Sequence, residues 1–142
     1  MEESVRPEER SALALAFLGD AVWEMLVRTH VMAQGNLRPQ VLHKRCSDLV
    51  SARSQSGMAR GVLPLLSEEE AAVYRRGRNQ KSPTMAKNAS MSEYRSATGW
   101  ETLMGHLYLQ GREDRIRELF EAALRVHSGD LPAGAAAAEE DS

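Results

Sequence analysis

Asp20 stands in the most apolar stretch of the chain, with Ala14-Leu15-Ala16-Phe17-Leu18-Gly19 before it and Ala21-Val22-Trp23 after it. An ionised carboxylate in such a setting costs several kcal/mol of desolvation unless a cation or hydrogen-bond donors meet it. Glu101 repeats the pattern inside Ala97-Thr98-Gly99-Trp100-Glu101-Thr102-Leu103-Met104-Gly105-His106-Leu107. Two acids, each embedded in an apolar helical stretch, suit a hard divalent cation. Magnesium takes one or two carboxylates and completes its octahedron with waters and phosphate oxygens. The alternative for Asp20 is the polar side of an amphipathic helix, or an ion pair with an arginine such as Arg95. Glu24, one turn further on, would extend the site, although an i,i+4 pair with Arg28 is the favoured reading. His30, His43, His106 and His127 show no mutual ligand spacing, and imidazole matches a magnesium site poorly. Cys46, Ser54 and Ser56 have no His and acid arrangement around them that would make a nucleophile.

The elements that must position the two acids are helical. Apolar residues recur at helical spacing from Leu13 through Phe17, Leu18, Val22, Met25 and Leu26, which predicts a long first helix over about 7–34, stopped by Gly35-Asn36. A second helix starts near Pro39, with a break or new start near Ser47. The pattern continues from Ser51 to Leu63, and Ser67-Glu68-Glu69-Glu70 caps a further helix over 68–76. Residues 77–88 read as a loop. Ser92 is expected to cap a helix over 93–109, closed by Gly111, and 112–127 forms the last. Gly19, Gly99 and Gly105 each cost about 1 kcal/mol in a helix relative to Ala, so close helix-to-helix approach beside both acids is the expected compensation. No Gly-rich phosphate loop, internal repeat or strand pattern appears, and the fold class is all-α.

With 142 residues, 42% hydrophobic and 27% charged, the chain reads as one globular domain over 1–127 followed by a disordered acidic tail over 128–142. A single cysteine, Cys46, excludes an intrachain disulfide, and the acidic start lacks a secretory signal, so a reducing cytoplasm is expected. No apolar run approaches the roughly 20 residues that span a bilayer. The net charge of −2 argues against a nucleic-acid partner, but its distribution reverses that argument. All 18 basic residues lie within 1–127, whereas four of the 20 acids fall in the tail. Arg75, Arg76, Arg78, Lys81 and Lys87 cluster in a segment without any acid. Such a run serves as a polyanion-binding patch or as a solvated basic loop.

Ala14-Leu15-Ala16-Phe17-Leu18-Gly19-Asp20-Ala21-Val22 resembles the signature helix of the ribonuclease III catalytic domain. Together with Leu42-His43-Lys44, Val50-Ser51-Ala52, Gln55, Arg75-Arg76-Gly77-Arg78-Asn79, Lys81-Ser82, Lys87-Asn88, Tyr94-Arg95 and Thr98-Gly99-Trp100-Glu101, it resembles the Mini-III ribonucleases over about residues 11–125. These look like a ribonuclease III catalytic domain without its double-stranded-RNA-binding domain. The resemblance implies a cytoplasmic homodimer that cuts double-stranded RNA with magnesium, manganese being able to substitute. It also implies that the stems flanking the ends of 23S ribosomal RNA precursor are the substrate, with a ribosomal protein or the assembling large subunit as a further partner. Asp20 and Glu101 then correspond to catalytic, metal-holding carboxylates, and 5′-phosphate ends result. Two acids of the larger relatives are replaced here by Ala16 and Thr98, a reduced set that favours one well-held magnesium.

Duplex RNA is read through phosphates and 2′-hydroxyls. The implied RNA contacts are Arg75, Arg76, Arg78, Asn79, Lys81, Ser82, Lys87, Asn88 and Lys44. Trp23, Met25 and Leu26, or Leu42 and Val50, are candidates for the dimer interface, with core packing as their alternative. A catalytically inactive module of the same fold that binds structured or ribosomal RNA is the rival reading, supported by the missing acids at Ala16 and Thr98.

Overall fold

The computed structural model describes residues 5–81 and 90–131. Among these there are six α-helices and no strand: α1 (Ala12–Met32), α2 (Pro39–Val50), α3 (Ala52–Val62), α4 (Glu68–Arg78), α5 (Met91–Leu109) and α6 (Glu113–His127), with short 3-10 turns at Pro7–Glu9 and Leu63–Leu65. The all-α class is as expected. None of the helices is long and apolar enough to cross a membrane among the described residues.

Helix α5 is the axis of the bundle. From Ser96 to Leu107 every residue but Glu101 is buried, as a helix apolar all round requires, and α1, α3, α4 and α6 pack against it. Trp23 of α1 meets Trp100 of α5 edge-on at 5.7 Å between ring centroids, and Phe120 of α6 at 5.3 Å. The Trp23 indole donates to the Leu49 carbonyl at the end of α2, at 2.9 Å. Three helices are thereby tied to α1 through one side chain, which is fully buried. Trp23 is thus a core residue and not part of an exposed interface. Leu42 and Val50 likewise pack on the core from α2.

Local signals move several boundaries. The first helix begins at Ala12 because Arg10 and Ser11 are extended and the Ser11 hydroxyl accepts from the Ala14 N–H at 3.1 Å, separating Pro7–Glu9 as its own turn. The break after α2 falls at Ser51, whose extended backbone and hydroxyl cap α3, rather than near Ser47. Ser90, not Ser92, opens α5, in a capping box with Glu93. Helix α4 runs through Gly77 and Arg78, which were expected in a loop. Residues 128–131, expected in the tail, form the C-terminal close of α6. Gly129, at φ +89°, closes α6, the Asp130 and Leu131 N–H groups bond to the Arg125 carbonyl, and Leu131 packs on the core. The remainder of that tail, 132–142, lies outside the described residues.

One buried acid holds the far end of the bundle. Glu70 closes a capping box with Ser67, and both its carboxylate oxygens accept from Arg115 of α6 at 2.8 Å. Arg115 also donates to the Leu65 carbonyl at 3.0 Å. The Arg115 guanidinium, with backbone help from Ser67 and the charge of Arg112, holds the Glu70 carboxyl at about 2, below its ordinary 4.5. A lowered carboxyl stabilises the fold above the unfolded value, and that contribution is lost as pH falls from about 4.5 toward 2. Glu70→Gln should therefore lower the unfolding free energy at pH 7 by about 3 kcal/mol in urea titrations, since it leaves the half-buried Arg115 with only the exposed Glu118 carboxylate, 3.5 Å away. The gap to wild type should narrow as the pH is taken through that window.

Candidate active site

The two acids meet where α1 crosses α5. At this crossing the helices touch backbone to backbone. A Cβ on Gly19 would sit on the Glu101 carbonyl oxygen and within 2.9 Å of the Gly105 nitrogen, and one on Gly105 would collide with the Leu15 carbonyl, 2.9 Å from its carbon. Only glycine permits this approach, as the sequence suggested for Gly19 and Gly105. The same seam is pinned by Thr102, whose hydroxyl lies 3.1 Å from the Ala12 carbonyl and 2.8 Å from that of Thr98. Asp20 follows Gly19 directly, so the crossing delivers its carboxyl to that of Glu101.

The two carboxyls come within hydrogen-bonding reach of one another. Asp20 is exposed and Glu101 half-buried. Burial first, then the adjacent Asp20 charge, pushes the Glu101 carboxyl up to about 8 from its ordinary 4.5. The opposing influence is Gln55 of α3, whose side-chain amide donates to Glu101 Oε2 at 3.2 Å and to the Val50 carbonyl at 3.0 Å. Arg95, the alternative partner for Asp20, is itself exposed on the first part of α5. Glu24 is committed to Arg28 at 2.7 Å, the i,i+4 pair that the spacing favoured.

This donor set fits a hard divalent cation. It offers two carboxylates, one solvent-facing and one held in place, whose mutual repulsion a cation would relieve. Among the described residues no cluster of three His, Cys, Asp or Glu side chains is poised to hold a metal, so water and substrate oxygens would complete the shell. Ala16 is buried, and the Thr98 hydroxyl donates to the Tyr94 carbonyl at 3.0 Å, so neither position offers a further charge. His106 is buried, 3.9 Å from Glu69, and burial lowers its basicity, consistent with packing rather than with ligation.

The basic residues divide. Arg75, Arg76 and Arg78 form the last turn of α4, with Asn79 as its C-cap. This turn is held against α5 by a second glycine contact. A Cβ on Gly77 would meet the Thr102 side chain and lie 2.9 Å from the Gly99 Cα, while one on Gly99 would come within 2.6 Å of the Tyr74 carbonyl. Thr102 and Gly99 flank Glu101 in sequence, so the arginine-rich turn packs on α5 at the level of Glu101 but on a different side of the helix. Arg75 and Lys81 are exposed, Arg76 reaches the Arg10 carbonyl at 3.3 Å, and Arg78 lies beside Asn79. Lys44 is engaged within α2 by Asp48 at 2.7 Å. Ser82, Lys87 and Asn88 lie outside the described residues.

Sequence reasoning missed the role of Gln55. The signal was present, because Gln55, Met58, Ala59 and Val62 are spaced i, i+3, i+4, i+7 and all four are buried. A glutamine on an otherwise apolar stripe must find a polar partner inside the protein.

Residues 13–112 match the family model described as the ribonuclease III domain. The protein named Mini-ribonuclease 3 from Brevibacillus brevis is 45% identical over 130 residues, covering 91% of this chain and 97% of that protein. Its namesake from Enterococcus faecalis is 41% identical, covering 83% and 91%. A crystal structure of a Fusobacterium nucleatum protein superposes with a TM-score of 0.77 at 29% identity, covering 87% of this chain and 99% of that one. The chain therefore belongs to the ribonuclease III family, in its Mini-ribonuclease 3 branch. It is an endoribonuclease, with RNA as its substrate, and the rival reading of an inactive module gives way.

The raised Glu101 carboxyl has a measurable consequence for stability. A carboxyl raised by folding favours the folded state fully only below its unfolded value, and that contribution is lost as pH rises from about 4.5 through about 8. In metal-free protein Glu101→Gln should therefore melt at the wild-type temperature near pH 4.5 and higher than wild type at pH 8, by about 1 kcal/mol or more of unfolding free energy. Thermal unfolding in chelator at the two pH values checks this.

Proposed function

We propose that the chain is a magnesium-dependent endoribonuclease acting on double-stranded RNA as a homodimer, with Asp20 and Glu101 as its catalytic carboxylates. The observation that carries this reading is the pairing of two acids at a glycine crossing, one of them raised to about 8 by burial and by the charge of the other. Asp20, exposed on α1, presents its carboxylate to an arriving phosphodiester. Glu101 supplies the second carboxylate from a fixed position on the central helix. When bound, magnesium would acidify an attacking water and neutralise charge on the scissile phosphate, giving 5′-phosphate ends. Manganese, a similar oxygen-seeking ion, should substitute.

Arg75, Arg76, Arg78 and Lys81, with Asn79, would meet phosphates and 2′-hydroxyls of an A-form duplex, as their charge and donors suit. Lys44 would need to leave Asp48 to join them. The motif string carries the further expectation that stems of 23S ribosomal RNA precursor are the cytoplasmic substrate, with a ribosomal protein or the assembling large subunit assisting.

Cutting both strands requires two sites facing one duplex, which a two-fold dimer provides. Support for it comes from the outer face of α1, where Phe17 is 85% exposed and Met25 69%. Beside them an open groove is lined by Leu18, Ala21, Val22, Leu26, Tyr108 and Ile116. Such an apolar face next to Asp20 suits a second copy of the chain. It replaces Trp23, Leu42 and Val50 as the candidate interface, while keeping Met25 and Leu26.

Two measurements test the reading. Asp20→Asn should bind a labelled RNA duplex with near wild-type affinity in magnesium yet cleave it at least about 100-fold more slowly. A wild-type cleavage rate would remove Asp20 from the catalytic role. Phe17→Glu should sediment as a monomer and lose most duplex cleavage, and an unchanged sedimentation coefficient would remove this face from the interface.

A further inference from the structure

We infer that Gln55 is a positioning residue for the reaction: its amide fixes the Glu101 carboxylate in the orientation that receives the divalent cation. This rests on the proposal that Asp20 and Glu101 hold that cation. Gln55 is 1% exposed and occupies a core position on α3, where an unbonded amide would be costly. Both neighbours of its nitrogen, the Val50 carbonyl and Glu101 Oε2, are acceptors. An amide oxygen facing them would be repelled, so the orientation of the group is determined by its surroundings. The first bond anchors Gln55 to the last carbonyl of α2, immediately before the Ser51 cap that starts α3. The second transmits that anchorage to Glu101.

Glu101 needs such a restraint. Its nearest charged neighbour, Asp20, repels it, and a glutamate has three rotatable side-chain bonds through which to swing away. With Oε2 held by Gln55, the carboxylate keeps its other oxygen toward Asp20 and the cation. The amide oxygen of Gln55 is buried without a hydrogen-bond partner among the described residues, so the donor side of the group is the side that engages Glu101. Groups that hydrogen-bond to a metal's ligands typically change affinity or activity by about 10–100-fold when removed.

The test uses the full-length protein and Gln55→Met, which keeps the length and bulk of the side chain but loses the donor. Manganese binding to RNA-free protein by calorimetry should weaken about 10-fold, and the magnesium concentration for half-maximal duplex cleavage should rise by a similar factor. The KM for duplex at saturating magnesium should stay within about 2-fold of wild type, which a general disturbance of the fold would not leave intact. Manganese affinity and magnesium dependence both at wild-type values in a folded variant would overturn the inference. Asp20→Asn, measured alongside, separates the two claims. If it too binds manganese like wild type, the metal-holding reading fails; if it loses manganese while Gln55→Met does not, only the role of Gln55 fails. Should Gln55→Met not fold, the wild-type protein decides. The side-chain amide resonance of Gln55 should shift on magnesium addition, and a resonance unmoved through saturation would overturn the role.

Discussion

Everything at the site depends on one contact, the backbone-to-backbone crossing of α1 and α5. Helices normally keep their axes about 8–10 Å apart because side chains lie between them. Here Gly19 and Gly105 remove those side chains, and the helices meet at the Glu101 and Leu15 carbonyls. The crossing fixes which residues of α1 and α5 face each other, and that register puts Asp20 beside Glu101. A site on two rigid helices with interlocked backbones is held more narrowly than one on loops. The conformational cost of two helical glycines, about 1 kcal/mol each, is therefore spent on geometry that the acids use.

The second glycine pair extends the same logic. Gly77 and Gly99 bring α4 down onto α5 beside Thr102, and the arginine-rich last turn of α4 comes with it. Helix α5 thus collects an acid partner from α1, an amide from α3 and a basic turn from α4, all within a short stretch around Glu101. From Ser96 to Leu107, α5 is accordingly buried on every side but one. The half-exposed strip at Glu101 is the opening left in an otherwise complete enclosure.

How much of this was legible depended on whether the signal was local. Asp20 and Glu101 stood out because an acid inside an apolar helix is anomalous whatever surrounds it, and Gly19, Gly99 and Gly105 stood out for the same reason. Gly77 was misread because Arg-Arg-Gly-Arg-Asn-Gln-Lys carries loop composition, and its packing against Thr102 and Gly99 is a long-range fact. Trp23 entered as an interface candidate because the apolar residues of α1 cover most of its circumference. Only the presence of Trp100, Phe120 and the Leu49 carbonyl decides that Trp23 faces inward and Phe17 outward. The cap at Ser90 could have been read, since Ser90-Met91-Ser92-Glu93 carries the capping-box spacing, but Ser92 directly before Glu93 competed with it. Gln55 was visible as a member of the motif string, while its meaning required knowing that α3 faces the Glu101 strip of α5.

The two acids drawn into the interior show what separates a structural carboxylate from a functional one. Glu70 and Glu101 are each withdrawn from solvent, each on a helix packed against others, and each bonded to a neutral donor of the protein. Glu70 faces Arg115, and its carboxyl falls to about 2; Glu101 faces another acid, and its carboxyl rises to about 8. Burial alone would push both upward, so the difference lies in the charge opposite. Glu70 is complete within the folded chain and stabilises it. Glu101 is incomplete there, and the Trp23 cluster and the glycine seams hold its backbone at the crossing despite that cost. An acid pair that no cation of the protein neutralises holds a proton until a cation arrives, and an oxygen-only donor set suits the hard divalent ion proposed above.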